Sequence, residues 1–204
     1  MSKPLPATGV VLVGGRSTRM GVDKATMEVG GRCLAGLVAD ALGAVCVEVL
    51  LAGRPVPGVD ARVVADPVAG AGPLAGLVAA AGAACTPLLL AAACDMPSLV
   101  PALLDGLVRR LAAAPQHGAA LCASAAGLEP FPLVLRVDRA GVLAAALDAG
   151  RLRLRDVLDE LDPLVVAAAE WTALDPAGLS FVNWNTPDDV RQAAPVRPRI
   201  PDHD

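Results

Sequence analysis

The amino-acid sequence predicts a single α/β domain in which a mostly parallel sheet is covered by helices on both faces. The chain has 204 residues, of which 54% are hydrophobic and 19% charged, which is enough apolar material for one large core. Short, uninterrupted apolar runs recur along it, as expected for strands buried on both faces. Segments with the apolar spacing of a helix alternate with these runs, and this alternation is typical of α/β folds.

The first half of the chain follows this alternation closely. We predict strands at 10–13, 46–52, 62–65 and 87–92, each of them an apolar or nearly apolar run. We predict helices at 33–42, 74–84 and 100–113. Ser98 should cap the last of these helices, because serine favours the N-cap and Pro101 suits the first helical turn.

After residue 114 the alternation is less regular. The pattern predicts strands at 119–123 and 132–135, helices at 139–149 and 153–160, and an apolar segment at 164–168. We expect the domain to span residues 7–194 and the proline-containing end, 195–204, to be a disordered tail. The uncharged segment 67–94 is long enough to cross a membrane, but prolines and glycines divide it and no basic cluster flanks it. We therefore predict a buried loop, helix and strand there.

Composition excludes several classes of function. With 17 basic and 21 acidic residues and 2% aromatic residues, the chain has neither the basic surface nor the stacking side chains of a nucleic-acid-binding protein. The five cysteines are odd in number and form no C-x-x-C pair, so we expect reduced, buried thiols. Neither histidine lies near a cysteine at zinc-ligand spacing. Without a recognisable signal peptide, the chain is expected to be cytoplasmic.

The segment 14–24, directly after the first predicted strand, has the residues of a polyphosphate-binding loop. In open parallel sheets, ligands bind beyond the carboxyl ends of the strands. Glycines here allow backbone N–H groups to approach an oxyanion, and Arg16, Arg19 and Lys24 can neutralise phosphate charge. Only two of the 17 basic residues are lysines, so the compact ammonium of Lys24 stands out. The alternative is a surface loop with solvated arginines.

Two further segments follow predicted strands. The first, 66–76, contains Asp66, several glycines and Pro73, and either admits a flat ligand close to the backbone or forms only a tight turn into the next helix. The second contains Asp95, the only charged residue between Asp66 and Asp105. Because burying a lone carboxylate costs several kcal/mol, Asp95 should face a cleft or a cation, and Mg2+ is a suitable partner. The alternative is an aspartate that only caps a turn.

Four motifs in these and later segments carry a family resemblance. The segment 12–24, LVGGRSTRMGVDK, resembles the signature of the molybdenum cofactor guanylyltransferases, usually written L-A-G-G-x-S-x-R-M-G-x-D-K. The segments 72–76 and 94–97, GPLAG and CDMP, are similar to the second and third motifs of that family. Near the C-terminus, the segment 183–189, NWNTPDD, is similar to its N-x-N-T-P-x-D motif. The resemblance covers about residues 8–194.

The resemblance implies a fold, a reaction and partners. The fold is a Rossmann-like nucleotidyltransferase domain. The reaction is transfer of GMP from GTP to the terminal phosphate of molybdopterin, with Mg2+ as cofactor and pyrophosphate as the second product. The resemblance also implies transient contact with other cofactor-biosynthesis proteins or with acceptor molybdoenzymes, and no association with nucleic acid or a membrane.

Site residues are carried over only where the motifs match. The residues implied to contact the nucleotide are Leu12, Val13, Gly14 and Asp66. Those implied to act on the triphosphate are Arg19, Lys24 and Asp95, and Asp95 is the implied Mg2+ ligand. Asn183 and Asn185 are implied to line the pterin side or to orient the metal-bound phosphates.

The sequence departs from the family at positions that affect base recognition. Val13 replaces the usual alanine, and Leu51 and Gly53 stand where family members often place asparagines that contact the base. We therefore expect backbone groups of residues 12–14 and 70–76 to read guanine. Two alternatives stay open: a molybdopterin cytidylyltransferase or another nucleotidyltransferase acting on a small-molecule phosphate, and a non-catalytic nucleotide-binding protein. Loss of Lys24 or Asp95 would have favoured the latter, and both are present.

Overall fold

A seven-stranded sheet organises the chain in the computed structural model, which describes residues 6–13, 23–68, 70–186 and 188–189. Its strands are β1 (Ala7–Leu12), β4 (Glu48–Ala52), β5 (Arg62–Val64), β6 (Leu88–Ala93), β7 (Ala119–Ser124), β8 (Gly127–Arg136) and β9 (Leu164–Val166). A separate hairpin consists of β2 (Glu28–Val29) and β3 (Arg32–Cys33). The helices are α1 (Leu34–Gly43), α2 (Pro73–Ala83), α3 (Pro101–Ala113), α4 (Gly141–Asp148), α5 (Leu154–Leu158) and α6 (Ala168–Trp171).

The predicted α/β class with a mostly parallel sheet is confirmed. The strand order is β5-β4-β1-β6-β8-β7-β9, and β8 is the one strand of the described sheet that runs antiparallel to its neighbours. Alternate residues of β1 enter opposite cores: Val11 packs with α1 and α3, whereas Val10 packs with α2, α4 and α5. Both faces are covered, which explains why the strands are apolar without alternation.

The chain order creates a crevice at the centre of the sheet. From β1 the chain moves outward through β4 and β5, then returns across β1 to form β6 on the other side. Leu12 pairs with Ala52 of β4 and with Ala93 of β6, so the carboxyl ends of the three strands are level. Ligands of open α/β sheets bind at such a reversal of strand order, beyond the strand ends.

The second half of the chain differs most from the prediction. Strand β8 extends over Gly127–Arg136, although only its apolar end, 132–135, was predicted. The hairpin of β2 and β3 was not predicted, since two-residue strands are too short to show a period. The apolar segment 164–168 divides between β9 and the start of α6. Residues 14–22 and the predicted tail, 195–204, lie outside the described residues.

Two local expectations are wrong. All five cysteines were expected to be buried; Cys122 is, but Cys33, Cys46 and Cys94 are partly exposed and Cys85 is exposed, and all five are free thiols. Ser98 does not cap α3, whose N-cap is Val100 with Pro101 at the first helical position.

None of the described helices is long and apolar enough to cross a membrane. The uncharged segment 67–94 contains helix α2 and strand β6.

A distant serine supports the start of α3 instead. The backbone N–H of Val100 donates to Oγ of Ser180 at 2.9 Å. Ser180 is fully buried, and its own N–H donates to the carboxylate of Asp175 at 2.8 Å, which also accepts the N–H of Leu179 at 3.0 Å. Buried Asp175 thus stabilises a tight turn that contains Ser180. Through the hydrogen bond from Val100 to Ser180, this turn connects the C-terminal segment to the loop that follows β6.

Replacing Ser180 should destabilise the fold, whereas replacing Ser98 should not. Ser180→Ala leaves the N–H of Val100 without its acceptor, so we expect the free energy of unfolding to fall by about 1–2 kcal/mol. Ser98→Ala is the matched control and should change it by less than about 0.5 kcal/mol. Urea denaturation of both variants measures the difference. A larger loss for Ser98→Ala would show that the sequence-based cap is the real one.

Candidate active site

Lys24 lies on a short 3-10 turn, Lys24–Thr26, opposite the carboxyl end of the sheet. Asp23 caps this turn: one of its carboxylate oxygens accepts the N–H of Ala25 at 3.2 Å. The other oxygen accepts a hydrogen bond from the guanidinium of Arg54, which follows β4. The turn that carries Lys24 is therefore fastened to the sheet at the residue directly before it.

Three distant parts of the chain meet at the Lys24 ammonium. Its Nζ lies 3.1 Å from Oδ2 of Asp95 and 2.6 Å from Oδ1 of Asn185, residues that are 71 and 161 positions away in sequence. The Lys24 and Asp95 side chains are only 26% and 19% exposed. Because this ion pair is partly withdrawn from water, it is less screened than a surface pair. Asp95 thus faces a cation, as its isolation in sequence predicted.

Trp184 anchors the segment that carries Asn185. The indole is buried against Met27, which directly follows the Lys24 turn, Val29 of β2 and Leu34 of α1. The Trp184 backbone N–H donates to the carbonyl of Asp95 at 2.8 Å. One residue therefore fixes the C-terminal segment against both the Lys24 side and the Asp95 side of the cluster.

Asp66 lies beyond the end of β5, and one of its oxygens has no partner. Among the described residues, Oδ1 of Asp66 is the buried side-chain polar atom without a hydrogen bond. Burial raises the pKa of this carboxyl above its ordinary value of 3.8. A side chain on Gly76 of α2 would place its Cβ 3.5 Å from that oxygen and 2.9 Å from Leu12. The absence of a side chain at Gly76 thus lets α2 pack closely against the strand ends beside this unpaired acceptor.

Several backbone groups at the strand ends are already used within the sheet. The N–H of Val13 donates to the carbonyl of Ala52 at 2.9 Å, and the carbonyl of Leu12 accepts the N–H of Cys94 at 3.3 Å. The N–H of Gly53 donates to Val64 across the sheet at 2.8 Å. These three N–H groups are therefore not available to a base, whereas the carbonyl of Val13 can accept a hydrogen bond. That backbone groups of residues 12–14 and 70–76 read guanine stays a prediction.

The cysteine next to Asp95 is not a nucleophile. Burial, with a smaller contribution from the negative charge of Asp95, raises the pKa of the Cys94 thiol to about 12. Burial has the same effect on Cys46 and Cys122, whose pKa values are also about 12. Thiolate is the reactive form, so these three thiols stay inert near neutral pH. The cluster is suited to direct displacement rather than to a covalent cysteine intermediate.

The oxygen donors of the cluster fit a magnesium ion that is shared with a substrate. The described residues contain no group of three histidine, cysteine, aspartate or glutamate side chains that could enclose a metal. Asp95 offers one carboxylate, which lies beside the Lys24 ammonium. Mg2+ in nucleotide-dependent enzymes is commonly held by one or two carboxylates together with substrate phosphates and waters. The residues present fit that arrangement.

The structure brings together part of the predicted site. Lys24, Asp95 and Asn185 converge, while Gly14 and Arg19 lie outside the described residues. Asn183 is exposed, and in the described part of the chain its contact with the cluster is made by its carbonyl, which lies 3.4 Å from Nδ2 of Asn185.

Sequence reasoning assigned no role to four residues that support the cluster. They are Asp23, Arg54, Trp184 and Asp189. Arg54 follows a predicted strand, so the rule that ligand-binding residues lie beyond strand ends could have identified it. Thr186 and Asp189 have the spacing of a capping box, which is also visible in the sequence.

Comparison with known proteins establishes the family. A family model described as the MobA-like NTP transferase domain matches residues 9–164. The chain belongs to the MobA-like NTP transferase family. It is therefore a nucleotidyltransferase, in agreement with the resemblance seen in its motifs.

Full-length relatives and solved structures agree with this assignment. "Molybdenum cofactor guanylyltransferase" from Rhodopseudomonas palustris is 35% identical and covers 99% of this chain and 97% of its own length. "Probable molybdenum cofactor guanylyltransferase" from Chloroflexus aggregans is 34% identical, with 90% and 91% covered. The crystal structure of molybdopterin-guanine dinucleotide biosynthesis protein A from Archaeoglobus fulgidus has a TM-score of 0.79 at 24% identity, covering 93% of this chain and 97% of that one.

The fold alone does not determine the base. The crystal structure of 2-C-methyl-D-erythritol 4-phosphate cytidylyltransferase from Thermus thermophilus has a TM-score of 0.61 at 21% identity, with 92% and 96% of the two chains covered. This NTP transferase thus shares its architecture with a protein named for cytidylyl transfer. Base preference depends on individual site residues and has to be measured.

Neutralising Asp66 should stabilise the protein near neutral pH. Its folded-state pKa is raised, so the ionised carboxylate is disfavoured in the fold above that pKa. We expect Asp66→Asn to raise the free energy of unfolding at pH 7 by up to about 1 kcal/mol. The gain should shrink as the pH falls through the raised pKa, because the carboxyl is then protonated in the folded state, and it should vanish below the ordinary value of 3.8, where it is protonated in both states.

Denaturant unfolding at several pH values measures this difference, with Asp60→Asn as the control. Asp60 is an exposed aspartate in the preceding loop, so its replacement should change the free energy of unfolding at pH 7 by less than about 0.5 kcal/mol. An Asp66→Asn protein that is less stable than wild type at pH 7 would show that Asp66 is a structural residue.

Proposed function

We propose that this chain transfers GMP from GTP to the terminal phosphate of molybdopterin and releases pyrophosphate. The observation that carries the proposal is the convergence of Asp95 and Asn185 on the Lys24 ammonium, at the reversal of strand order where α/β sheets bind ligands. The names and near-complete coverage of the relatives from R. palustris and C. aggregans support the substrates.

The reaction is a direct displacement at phosphorus. An oxygen of the acceptor's terminal phosphate forms a bond to the α-phosphorus of GTP, and the bond from that phosphorus to the oxygen bridging to the β-phosphate breaks. The electron pair of the broken bond leaves with pyrophosphate. Negative charge therefore builds on the leaving group, and the protein needs a fixed positive charge there rather than a nucleophile of its own.

Lys24 supplies that charge. Its ammonium is held by Asp95 and Asn185, and with 26% of its side chain exposed it can turn towards an entering triphosphate. We assign Asp95 as the Mg2+ ligand. When bound, the ion would act as a Lewis acid and offset negative charge on the triphosphate oxygens. The Asn185 amide oxygen would stay on the ammonium and hold its direction.

The unpaired oxygen of Asp66 supports a role in binding the nucleoside. Nucleosides carry hydroxyl and amino hydrogens, and a buried acceptor without a partner gains a hydrogen bond when such a donor arrives. The Val13 carbonyl at the end of β1 can accept a second hydrogen bond. Guanine offers adjacent N1–H and N2–H donors, whereas cytosine lacks that pair, so an acceptor-rich pocket favours GTP.

A nucleotide panel tests the proposal directly. Wild-type protein is incubated with Mg2+, molybdopterin and one of GTP, CTP, ATP or UTP, and pyrophosphate release is measured. We expect at least about a tenfold preference for GTP over CTP in kcat/KM, equivalent to about 1.4 kcal/mol. Equal or better use of CTP would assign the chain as a cytidylyltransferase. Tight GTP binding without pyrophosphate release would favour a non-catalytic nucleotide-binding protein.

Removing the ammonium should reduce turnover without unfolding the protein. We expect Lys24→Ala to lower kcat at saturating GTP by about a hundredfold, or roughly 3 kcal/mol of transition-state stabilisation. The matched control is Arg62→Ala, which removes a cation that pairs with Glu48. Arg62 is the first residue of the edge strand β5 and so lies away from the carboxyl ends of the strands. Steady-state kinetics and circular dichroism of both variants give the result. Unchanged kcat for Lys24→Ala would exclude the assigned role.

A further inference from the structure

The carboxylate of Asp189 accepts hydrogen bonds from two consecutive backbone N–H groups, those of Asn185 and Thr186. Its Oδ2 accepts the N–H of Asn185 at 2.7 Å and the N–H of Thr186 at 2.8 Å. In return, the N–H of Asp189 donates to Oγ1 of Thr186 at 3.1 Å. This reciprocal pattern is a capping box, in which the two side chains satisfy donors at the start of a helical turn.

The charge of Asp189 is suited to this task. Hydrogen bonds from the N–H groups of Thr186 and Asn185 hold the pKa of the carboxyl below its ordinary value, and the nearby Lys24 ammonium lowers it further. Asp189 is therefore ionised near neutral pH and acts only as an acceptor. Both N–H groups meet one oxygen, which restricts rotation of the backbone that carries the Asn185 side chain.

The Asn185 side chain depends on this backbone for its direction. Its Oδ1 accepts the short hydrogen bond from Lys24, while its Nδ2 has only a long contact, 3.4 Å, to the carbonyl of Asn183 among the described residues. A contact of that length holds the amide weakly. The orientation of the amide oxygen therefore follows from where the backbone of residue 185 is held.

We propose that Asp189 is a positioning residue for Lys24 and that it acts through Asn185. By holding the Asn185 backbone, Asp189 fixes the amide oxygen to which the ammonium is bound, and so fixes where that charge meets the triphosphate. The inference rests on the proposed function for its catalytic consequence. Its structural part, a link from Asp189 to Lys24, is independent of which reaction the protein catalyses.

A double-mutant cycle in the full chain tests the catalytic consequence. We expect Asp189→Ala to lower kcat about tenfold, because small misplacements of a reacting group are costly, and to change KM for GTP by less than about threefold. Asn185→Ala should lower kcat by a similar factor. If Asp189 acts through Asn185, the double variant should be no slower than Asn185→Ala alone. If the fold-reductions in kcat of the two single variants multiply in the double variant, the proposal is wrong.

Two further variants separate positioning from general stability. Asp189→Asn keeps an oxygen that can accept both N–H groups, so it should restore kcat to within about threefold of wild type. Glu170→Ala is the matched control, because Glu170 also accepts a backbone N–H, that of Ala167 at 3.2 Å, in another C-terminal turn. Its kcat should equal that of wild type. If Glu170→Ala lost as much kcat as Asp189→Ala, the loss in Asp189→Ala would be explained by lower stability and not by positioning of Lys24.

A spectroscopic readout distinguishes failure of this inference from failure of the proposed function. The chain contains two lysines, Lys3 and Lys24, so lysine labelled with 13C at Cε gives two signals, which a Lys3→Arg variant assigns. In the absence of any substrate, Asp189→Ala should shift the Lys24 signal in the same direction as Asn185→Ala does. An unmoved Lys24 signal in Asp189→Ala would overturn the link, whatever the nucleotide panel shows. A shifted signal without GMP transfer by wild type would contradict only the proposed function.

Discussion

The rest of the site depends on one interaction, the contact of the Lys24 ammonium with both Asp95 and Asn185. One positive charge holds together residues 24, 95 and 185, which enter from a turn after β1, the end of β6 and the C-terminal segment. Asp95 would otherwise be a partly buried carboxylate without a counter-ion, which is unfavourable. Lys24 and Asp95 thus neutralise each other across the crevice.

The sheet and the C-terminal segment both serve this arrangement. Because β1 and β6 are neighbours with level carboxyl ends, the residues that follow them reach the same crevice. Trp184 fixes the C-terminal segment next to these residues, because its indole is buried and its backbone N–H donates to the carbonyl of Asp95. A chain with few aromatic residues places one of them at the point where the C-terminal segment has to be fixed. Stability and function are thus coupled at the same residues.

Much of the fold could be predicted from the sequence, for physical reasons. Strands buried on both faces must be apolar throughout, so β1, β4 and β6 were visible as apolar runs. The hairpin and the long polar part of β8 carry no such signal. Ser98 had the right residue type for a cap, but Ser180 provides the contact to α3 through a long-range hydrogen bond that no local pattern encodes.

The site was predicted unevenly for a similar reason. Asp95 was identifiable because burial of an isolated carboxylate demands a partner, and Lys24 because it is one of only two lysines among 17 basic residues. That Asn185, rather than Asn183, accepts from Lys24 is fixed by the Trp184 anchor, which depends on tertiary packing. The Asp23–Arg54 pair likewise joins segments whose proximity follows only from the folded sheet.

On binding, a nucleotide with a divalent ion should take over the charges that Lys24 and Asp95 share. A crystal structure with Mn2+ and a GTP analogue that resists α-phosphate transfer would show this, since Mn2+ is located by its anomalous scattering. We expect an Mn2+ peak at the Asp95 carboxylate, and the Lys24 ammonium moved from Asp95 to a triphosphate oxygen. A triphosphate bound elsewhere, with Lys24 still paired to Asp95 and no Mn2+ peak beside it, would show that this pair is not the nucleotide and metal site.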